Sequence, residues 1–207
     1  MFDCDGLLLD TEGLWTRAET ALFAQHGLPF GPAEKAELLG TSTETSGRIL
    51  ERLLGRPGDA LELGRVLDEL VSHELRDGVE PRPGAVELVE ALIGRRRLGV
   101  ASNSTQRWVE RVLDAAGFTE VFEVVVTAED VAAPKPAPDV YLRAAELLGS
   151  PAADTIALED SPPGAAAARA AGAYVIGVPY LPGQALEADL VVESLSDKAV
   201  ATALGLG

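Results

Sequence analysis

The sequence is short of the residues that build disulfides and histidine metal sites. Its single cysteine, Cys4, cannot form an internal disulfide, which fits a reducing compartment. Its two histidines, His26 and His73, have no metal-ligand partners near them in the sequence. We therefore expect neither a disulfide framework nor a site built from soft ligands.

Long apolar runs are also missing. Apolar stretches such as residues 7–9 and 124–126 are far shorter than the ~20 residues that cross a bilayer. No signal peptide precedes Asp3. We therefore expect a soluble, cytoplasmic protein without a membrane partner.

Basic side chains are outnumbered by acidic ones, 17 to 33, and the formal net charge is −16. This charge disfavours nucleic acid and anionic membranes as partners. Salt screens charges beyond about 8 Å under physiological conditions, so a small phosphate ester responds more to the local charge of its site than to the total. The composition therefore excludes polyanions better than small phosphorylated substrates.

Two hydrophobic patterns divide the chain. Between residues 11 and 78, apolar residues recur at helical spacing, with predicted helices at 16–26, 46–54 and 60–75 and no convincing strand. Beyond residue 84, predicted helices at 85–94, 106–116, 138–148 and 164–171 alternate with short apolar runs at 98–101, 121–126, 155–158 and 174–178. A last strand at 190–192 is a weaker prediction.

That alternation predicts an α/β fold: a three-layer, Rossmann-like core with a parallel sheet between helices. We assign residues 1–11 and 79–207 to this core and residues 12–78 to an inserted helical cap domain.

Polar residues follow the predicted strands. In an open parallel sheet, the ligand lies outside the carboxyl ends of the strands, so these residues should share one site. They are Asp3, Asp5, Ser102, Asn103, Lys135, Glu159 and Asp160.

The residue types indicate phosphoryl transfer. Asp3 can act as a nucleophile toward phosphorus, and Asp5 as the general acid and then the base. Mg²⁺ prefers oxygen ligands, which Asp3, the backbone carbonyl of Asp5, and Asp160 can supply, with Glu159 in or near the ligand set. Ser102, Asn103 and Lys135 are the candidates for binding the substrate phosphate.

Simpler roles are open for the same residues. Ser102 and Asn103 could cap the helix that follows them, and residues 159–160 could cap the helix that begins near Pro162. Lys135 could be a solvated surface lysine. Trp15, on the first predicted helix, could belong to the cap core or face the substrate.

Residues 3–12 (DCDGLLLDTE), 102–103 (SN), 135–141 (KPAPDVY) and 158–164 (LEDSPPG) resemble, in order and spacing, the motifs of the haloacid dehalogenase superfamily. The likeness is to the branch with β-phosphoglucomutase and small sugar-phosphate phosphatases, whose helical cap lies between the first two motifs. It implies a magnesium-dependent phosphatase that acts on a small phosphomonoester, such as a sugar phosphate, through an aspartyl-phosphate on Asp3.

Two departures from the mutases favour the phosphatase. Trp15 stands where the mutases carry a histidine, and Thr43 stands where they carry a cap arginine. The alternatives are a phosphoryl mutase, a 2-haloacid dehalogenase, against which Asp5 argues, and a catalytically inactive binding relative. Only Met1 and Phe2 precede Asp3, where the family has about four more apolar residues, so either the numbered start is late or the chain tolerates a weakened core in which neighbours of the first strand are unpaired.

Overall fold

The core of the molecule is a parallel β-sheet. The computed structural model describes residues 1–181 and 183–206; for residue 77 it describes the backbone but not the side chain. The strands are β1 (Gly99–Ala101), β2 (Val124–Val126), β3 (Ile156–Glu159), β4 (Tyr174–Gly177) and β5 (Leu190–Val191). β1 pairs with β2, and β4 lies between β3 and β5, all in parallel.

Residues 1–3 join these two groups of strands into one sheet. Phe2 forms parallel bridges with Val100 in β1 and with Leu158 in β3. Its N–H donates to the Gly99 carbonyl at 2.8 Å, and the Asp3 N–H donates to the Leu158 carbonyl at 3.0 Å. The strand neighbours of this short segment are therefore paired where it passes between them.

Helices cover both faces of the sheet, as the three-layer prediction requires. Because strand residues point to alternate faces, Val100 and Leu158 pack in one apolar layer and Ala101 and Ala157 in the other. The first layer contains α5 (Ala85–Leu92), α6 (Gln106–Ala115) and α9 (Lys198–Ala203), and the second contains α7 (Asp139–Leu147) and α8 (Pro162–Ala170).

The insert between the first strand segment and α5 is helical. It comprises α1 (Glu12–Gln25), α2 (Pro32–Leu38), α3 (Thr43–Leu53) and α4 (Ala60–Glu74), followed by a 3-10 turn at Leu75–Asp77. Two glycines allow α3 and α4 to approach closely, since a Cβ at Gly47 would overlap the Ala60 carbonyl and one at Gly64 would crowd the Thr43 carbonyl. No helix among the described residues combines the length and apolar character needed to cross a bilayer.

Two helices, α2 and α9, were not predicted from the sequence. α2 contains three charged residues in seven and buries one of them, Lys35, so its pattern does not resemble an apolar stripe. α9 is short and alanine-rich, and its start is fixed by the Asp197 side chain, which accepts from the Ala199 N–H at 2.8 Å. The predicted strand at 121–126 shortens to β2, and the first predicted helix begins earlier, at Glu12.

Candidate active site

The predicted polar residues converge at the carboxyl edge of the sheet. Six of the seven predicted residues are buried there, and the seventh, Asp5, is half-buried. Other residues cap the nearby helices: Thr105 caps α6 and Ser161 caps α8. The capping alternative is therefore wrong for Ser102, Asn103, Glu159 and Asp160, and Lys135 is not a surface lysine.

Lys135 is the centre of the cluster. Its Nζ donates to Asp3 Oδ1 at 2.5 Å, to Glu159 Oε1 at 2.6 Å and to the Ala101 carbonyl at 2.8 Å. Burial alone would lower the pKa of Lys135, but the charges of Asp3 and Glu159 outweigh it and raise the pKa above its usual value. Lys135 is therefore a fixed cation that joins the first strand segment to β3.

Asn103 holds the loop that carries this lysine. Its Oδ1 accepts from the Lys135 N–H at 2.8 Å, and its Nδ2 donates to the Lys135 carbonyl at 3.1 Å and to the Gly40 carbonyl of the insert at 2.9 Å. These bonds position Lys135 and connect the core to the insert. A direct contact of Asn103 with substrate stays a prediction.

Glu159 is fully buried and hydrogen-bonded through both oxygens. Besides Lys135, its Oε1 accepts from the Tyr141 hydroxyl at 2.6 Å, and its Oε2 accepts from the Asp160 N–H and the Ser161 hydroxyl, both at 3.2 Å. Gly164 leaves room for it, because a Cβ there would overlap the carboxylate. Glu159 therefore orients its neighbours and has little capacity left for a further ligand.

Asp160 carries the feature that points to a metal. One oxygen each from Asp3, Glu159 and Asp160 lie within 4.8 Å of one another. Asp160 Oδ2 is buried and has no hydrogen-bond partner within the described part of the chain. A buried, unpaired carboxylate oxygen is costly unless a cation or proton meets it, and an all-oxygen donor set suits Mg²⁺. The residues present therefore fit a hard divalent cation.

The electrostatics of the cluster lead to the same conclusion. Burial raises the pKa of Asp3 well above its usual range; Lys135 opposes this shift and Glu159 adds to it. Burial, followed by the charges of Asp3 and Glu159, likewise raises the pKa of Asp160. Without further positive charge these carboxyl groups tend to keep protons, so a divalent cation would make the ionised forms stable.

Gly6 makes room for Asp160. Its φ is +82°, and a Cβ there would overlap Asp160 Oδ2. We expect Gly6→Ala to weaken Mg²⁺ binding about 10–100-fold by displacing that carboxylate, measured by calorimetric titration of the metal. Gly27→Ala is the matched control, because Gly27 has φ +70° but nothing within 4 Å of its added Cβ. Equal metal affinity in the two variants would contradict this explanation.

The Asp5 side chain lies outside the carboxylate group that could hold the metal. Its Oδ1 accepts from the indole N–H groups of Trp15 (3.2 Å) and Trp108 (2.8 Å), and its Oδ2 accepts from the Ser104 hydroxyl (2.7 Å). Sequence reasoning missed Trp108 and Ser104. For Ser104, the position just after β1, at the edge that carries the site, was the available signal, whereas Trp108 lies within α6 and had no local signal.

A narrow pocket of about 40 Å³ separates the cluster from the insert. That volume admits only a few water-sized groups. Asn103 and Ser104 also line a neighbouring cleft of about 660 Å³ between α3, α4 and the core. A sugar phosphate would therefore need the insert to move before it could reach Asp3.

The insert's wall of the pocket contains a buried ion cluster. Lys35 Nζ lies 2.6 Å from Glu12 Oε2, and the two groups form an ion pair without hydrogen-bond geometry. Lys35 Nζ also donates a hydrogen bond to Glu19 Oε2 at 3.1 Å. Burial raises the pKa of Glu19 to about 7, although Lys35 opposes the shift. Burial also raises the pKa of Glu12, again against Lys35. Lys35 therefore allows two buried carboxylates to coexist on α1.

Lys35→Met should destabilise the protein in a pH-dependent way. Without the lysine, both carboxyl groups have folded-state pKa values above their unfolded values, so stability falls as pH rises through that interval. We expect a loss of about 3–5 kcal/mol at pH 8 and a smaller loss at pH 5, measured by urea unfolding. Lys198→Met, at an exposed position, is the control. A loss that does not depend on pH would contradict the charge argument.

Comparison with known proteins decides the family. The family model described as haloacid dehalogenase-like hydrolase matches residues 1–178. The chain belongs to this family. Fructose-1-phosphate phosphatase YqaB of Escherichia coli (strain K12) is 33% identical over 181 residues, which cover 87% of the chain and 96% of YqaB.

Two further relatives resemble this haloacid dehalogenase-like hydrolase, one in sequence over nearly its whole length and the other in fold. Hexitol phosphatase B of Escherichia coli (strain K12) is 32% identical over 215 residues and covers 99% of the chain and 96% of its own length. The crystal structure of CbbY from Rhodobacter sphaeroides in complex with phosphate superposes with a TM-score of 0.82 at 30% identity, covering 95% of the chain and 93% of CbbY. With the family, the two phosphatase relatives, YqaB and hexitol phosphatase B, make the chain a phosphate monoester hydrolase.

Proposed function

We propose that this hydrolase is a magnesium-dependent phosphatase that hydrolyses a small sugar phosphate through an aspartyl-phosphate on Asp3. The observation that carries the proposal is the buried group of Asp3, Glu159 and Asp160, in which Asp160 Oδ2 has no hydrogen-bond partner among the described residues while Lys135 fixes Asp3. The proposed substrate class is supported by relatives whose names specify fructose 1-phosphate and hexitol phosphates.

Asp3 is the proposed nucleophile. Its carboxylate attacks phosphorus, the bond to the leaving oxygen breaks, and Asp5 gives that oxygen a proton. Asp5 then takes a proton from the water that attacks the aspartyl-phosphate, which releases inorganic phosphate and restores Asp3. Lys135 supports the ionised form of Asp3 before the attack and after its release, because its Nζ lies 2.5 Å from Asp3 Oδ1.

Asp3, Asp160 and the backbone carbonyl of Asp5 are the proposed ligands of Mg²⁺, with Glu159 next to them. When bound, the ion would offset the negative charge of the site and polarise the phosphoryl group. Ser102 would bind a phosphate oxygen through its hydroxyl, and Lys135, whose three Nζ donors meet Asp3, Glu159 and the Ala101 carbonyl, would act on the substrate phosphate through its charge. Asn103, also predicted to bind substrate, would act by holding the Lys135 loop.

The insert, residues 12–78, is the proposed cap over a core of residues 1–11 and 79–207. Glu12, Trp15 and Lys35 line the pocket above the carboxylates. Closure of the cap would exclude bulk water and select the leaving group. The hinges should lie near residues 11–12 and 78–83, where the chain passes between the two parts.

The setting we propose is the cytoplasm, with a small phosphorylated substrate rather than nucleic acid or membrane as partner. The net charge of −16 supports this, as does Cys4, which is a free and buried thiol.

The test is an assay of sugar phosphates and glycolytic phosphates with Mg²⁺ and, separately, with a chelator. The proposal predicts release of inorganic phosphate that stops with the chelator and returns with Mg²⁺. Conversion between isomeric sugar phosphates without net phosphate release would indicate the mutase instead. A folded protein that is inert toward the whole panel would support the inactive binding relative.

A further inference from the structure

Asp5 is held by three donors that come from three parts of the chain. Trp15 belongs to α1 of the insert, Trp108 to α6 of the core, and Ser104 to the loop between β1 and α6. Both indole N–H groups donate to the same oxygen, Oδ1, while Ser104 occupies Oδ2. The side chain of the proposed acid and base is thus fixed from both sides.

The two indoles also pack against each other. Their ring centroids are 5.4 Å apart, with an interplanar angle of 65°, an edge-to-face geometry. Trp108 is buried, whereas Trp15 is half-buried and lines the pocket. They are the only two tryptophans of the chain. The pair therefore spans the boundary between the insert and the core at the position of Asp5.

We infer that Trp15 and Trp108 are positioning residues that aim Asp5 at the leaving oxygen, and that Trp15 makes this aim depend on the position of the cap. The inference rests on the proposed function. An indole has one donor and no acceptor, so each ring supplies one directed N–H that phenylalanine cannot replace. Trp108 holds Asp5 from the core at the shorter distance, and Trp15 adds its bond only where α1 lies over the site.

A loosely held Asp5 would damage proton transfer more than attack by Asp3. Correct placement of a catalytic group contributes strongly to rate, and general acid catalysis matters most when the leaving group is a poor one. A sugar alkoxide needs a proton as it leaves, whereas a nitrophenolate does not. The two kinds of ester therefore separate a defect of Asp5 from a general loss of structure.

The experiment compares Trp15→Phe and Trp108→Phe with wild type on a hexose phosphate and on p-nitrophenyl phosphate. We expect kcat/KM for the hexose ester to fall about tenfold in each variant and kcat/KM for the aryl ester to fall less than about twofold, because kcat/KM reports the steps up to departure of the leaving group and not the later attack of water, which needs Asp5 for either ester. Phe30→Leu is the control for lost aromatic packing, since Phe30 pairs with Phe23 at 5.0 Å within the insert and contacts no catalytic group. It should affect the two esters equally.

A double-mutant cycle excludes a merely structural role. In an Asp5→Ala background, Trp108→Phe should change kcat/KM for the aryl ester and for the hexose ester by less than about twofold, because its target carboxylate is gone. Equal losses on both esters, or the same loss with and without Asp5, would overturn the inference.

The Asp5→Ala variant distinguishes a failure of the proposed function from a failure of this inference. If Asp5→Ala itself does not lower kcat/KM for the hexose ester more than kcat/KM for the aryl ester, Asp5 is not the acid and the proposed function is wrong, together with this inference. If Asp5→Ala shows that difference and neither tryptophan variant does, only the inference is overturned.

Discussion

Asp3→Asn should lower kcat for every phosphate ester by at least about 10⁴-fold, because an amide cannot form the acyl-phosphate and removal of a nucleophile has effects of this size. The variant should fold normally, since Lys135 keeps its bonds to Glu159 and to the Ala101 carbonyl. Steady-state phosphate release measures the loss, and circular dichroism checks the fold.

Asp10→Asn is the matched control for this prediction. It makes the same chemical change in the same loop, but Asp10 is exposed, and within the described residues its side chain accepts one hydrogen bond, from the Tyr180 hydroxyl at 3.4 Å. We expect less than about a fivefold change in kcat, in line with the small effects of surface substitutions. An Asp3→Asn enzyme within tenfold of wild type would refute Asp3 as the nucleophile.

Lys135→Met should damage both stability and catalysis. The substitution leaves three buried acids, Asp3, Glu159 and Asp160, without their shared cation, and we expect the metal-free protein to lose about 3–5 kcal/mol at pH 8 in urea unfolding. Loss of a fixed charge beside the transferred phosphoryl group should also lower kcat by about 10²–10³-fold at saturating Mg²⁺.

The loss of stability caused by Lys135→Met should depend on pH, because Lys135 in wild type and the buried acids in the variant change protonation over different pH ranges. In wild type the pKa of Lys135 is raised, so its contribution to stability is present throughout the neutral range and is lost only as pH rises past its unfolded value. In the variant, burial still raises the pKa values of Asp3 and Asp160, so stability recovers as acidification protonates them. Lys198→Met should change neither quantity, and a loss in Lys135→Met that is the same at pH 5 and pH 8 would contradict the charge argument.

Much of the core could be predicted because its signals are local. A run such as residues 98–101 is apolar on both faces because helices cover both sides of the sheet. In the helices between these runs, apolar residues recur at helical spacing. Parallel strands place their carboxyl ends together. This is why Ser102 and Asp160, far apart in the sequence, lie at one edge with Asp3.

The rest depends on contacts between distant segments. Lys35 looks like a surface residue of a polar helix, and only its meeting with Glu12 and Glu19 explains its burial. Trp108 fits the apolar stripe of α6, and nothing local shows that its N–H reaches Asp5, which lies 103 residues away in the chain. The role of Asn103 was likewise hidden, because its partners lie on the Lys135 loop and at Gly40.

Trapping the covalent intermediate tests the central claim most directly. The Asp5→Asn enzyme lacks the base for the second step, so with Mg²⁺ and an aryl phosphate, whose departure needs no acid, it should accumulate the aspartyl-phosphate. Borohydride reduces an acyl-phosphate of aspartate to homoserine, which peptide mass spectrometry can locate. We predict homoserine at position 3 only when Mg²⁺ and substrate are both present; intact Asp3 under those conditions, or homoserine at another position, would contradict it.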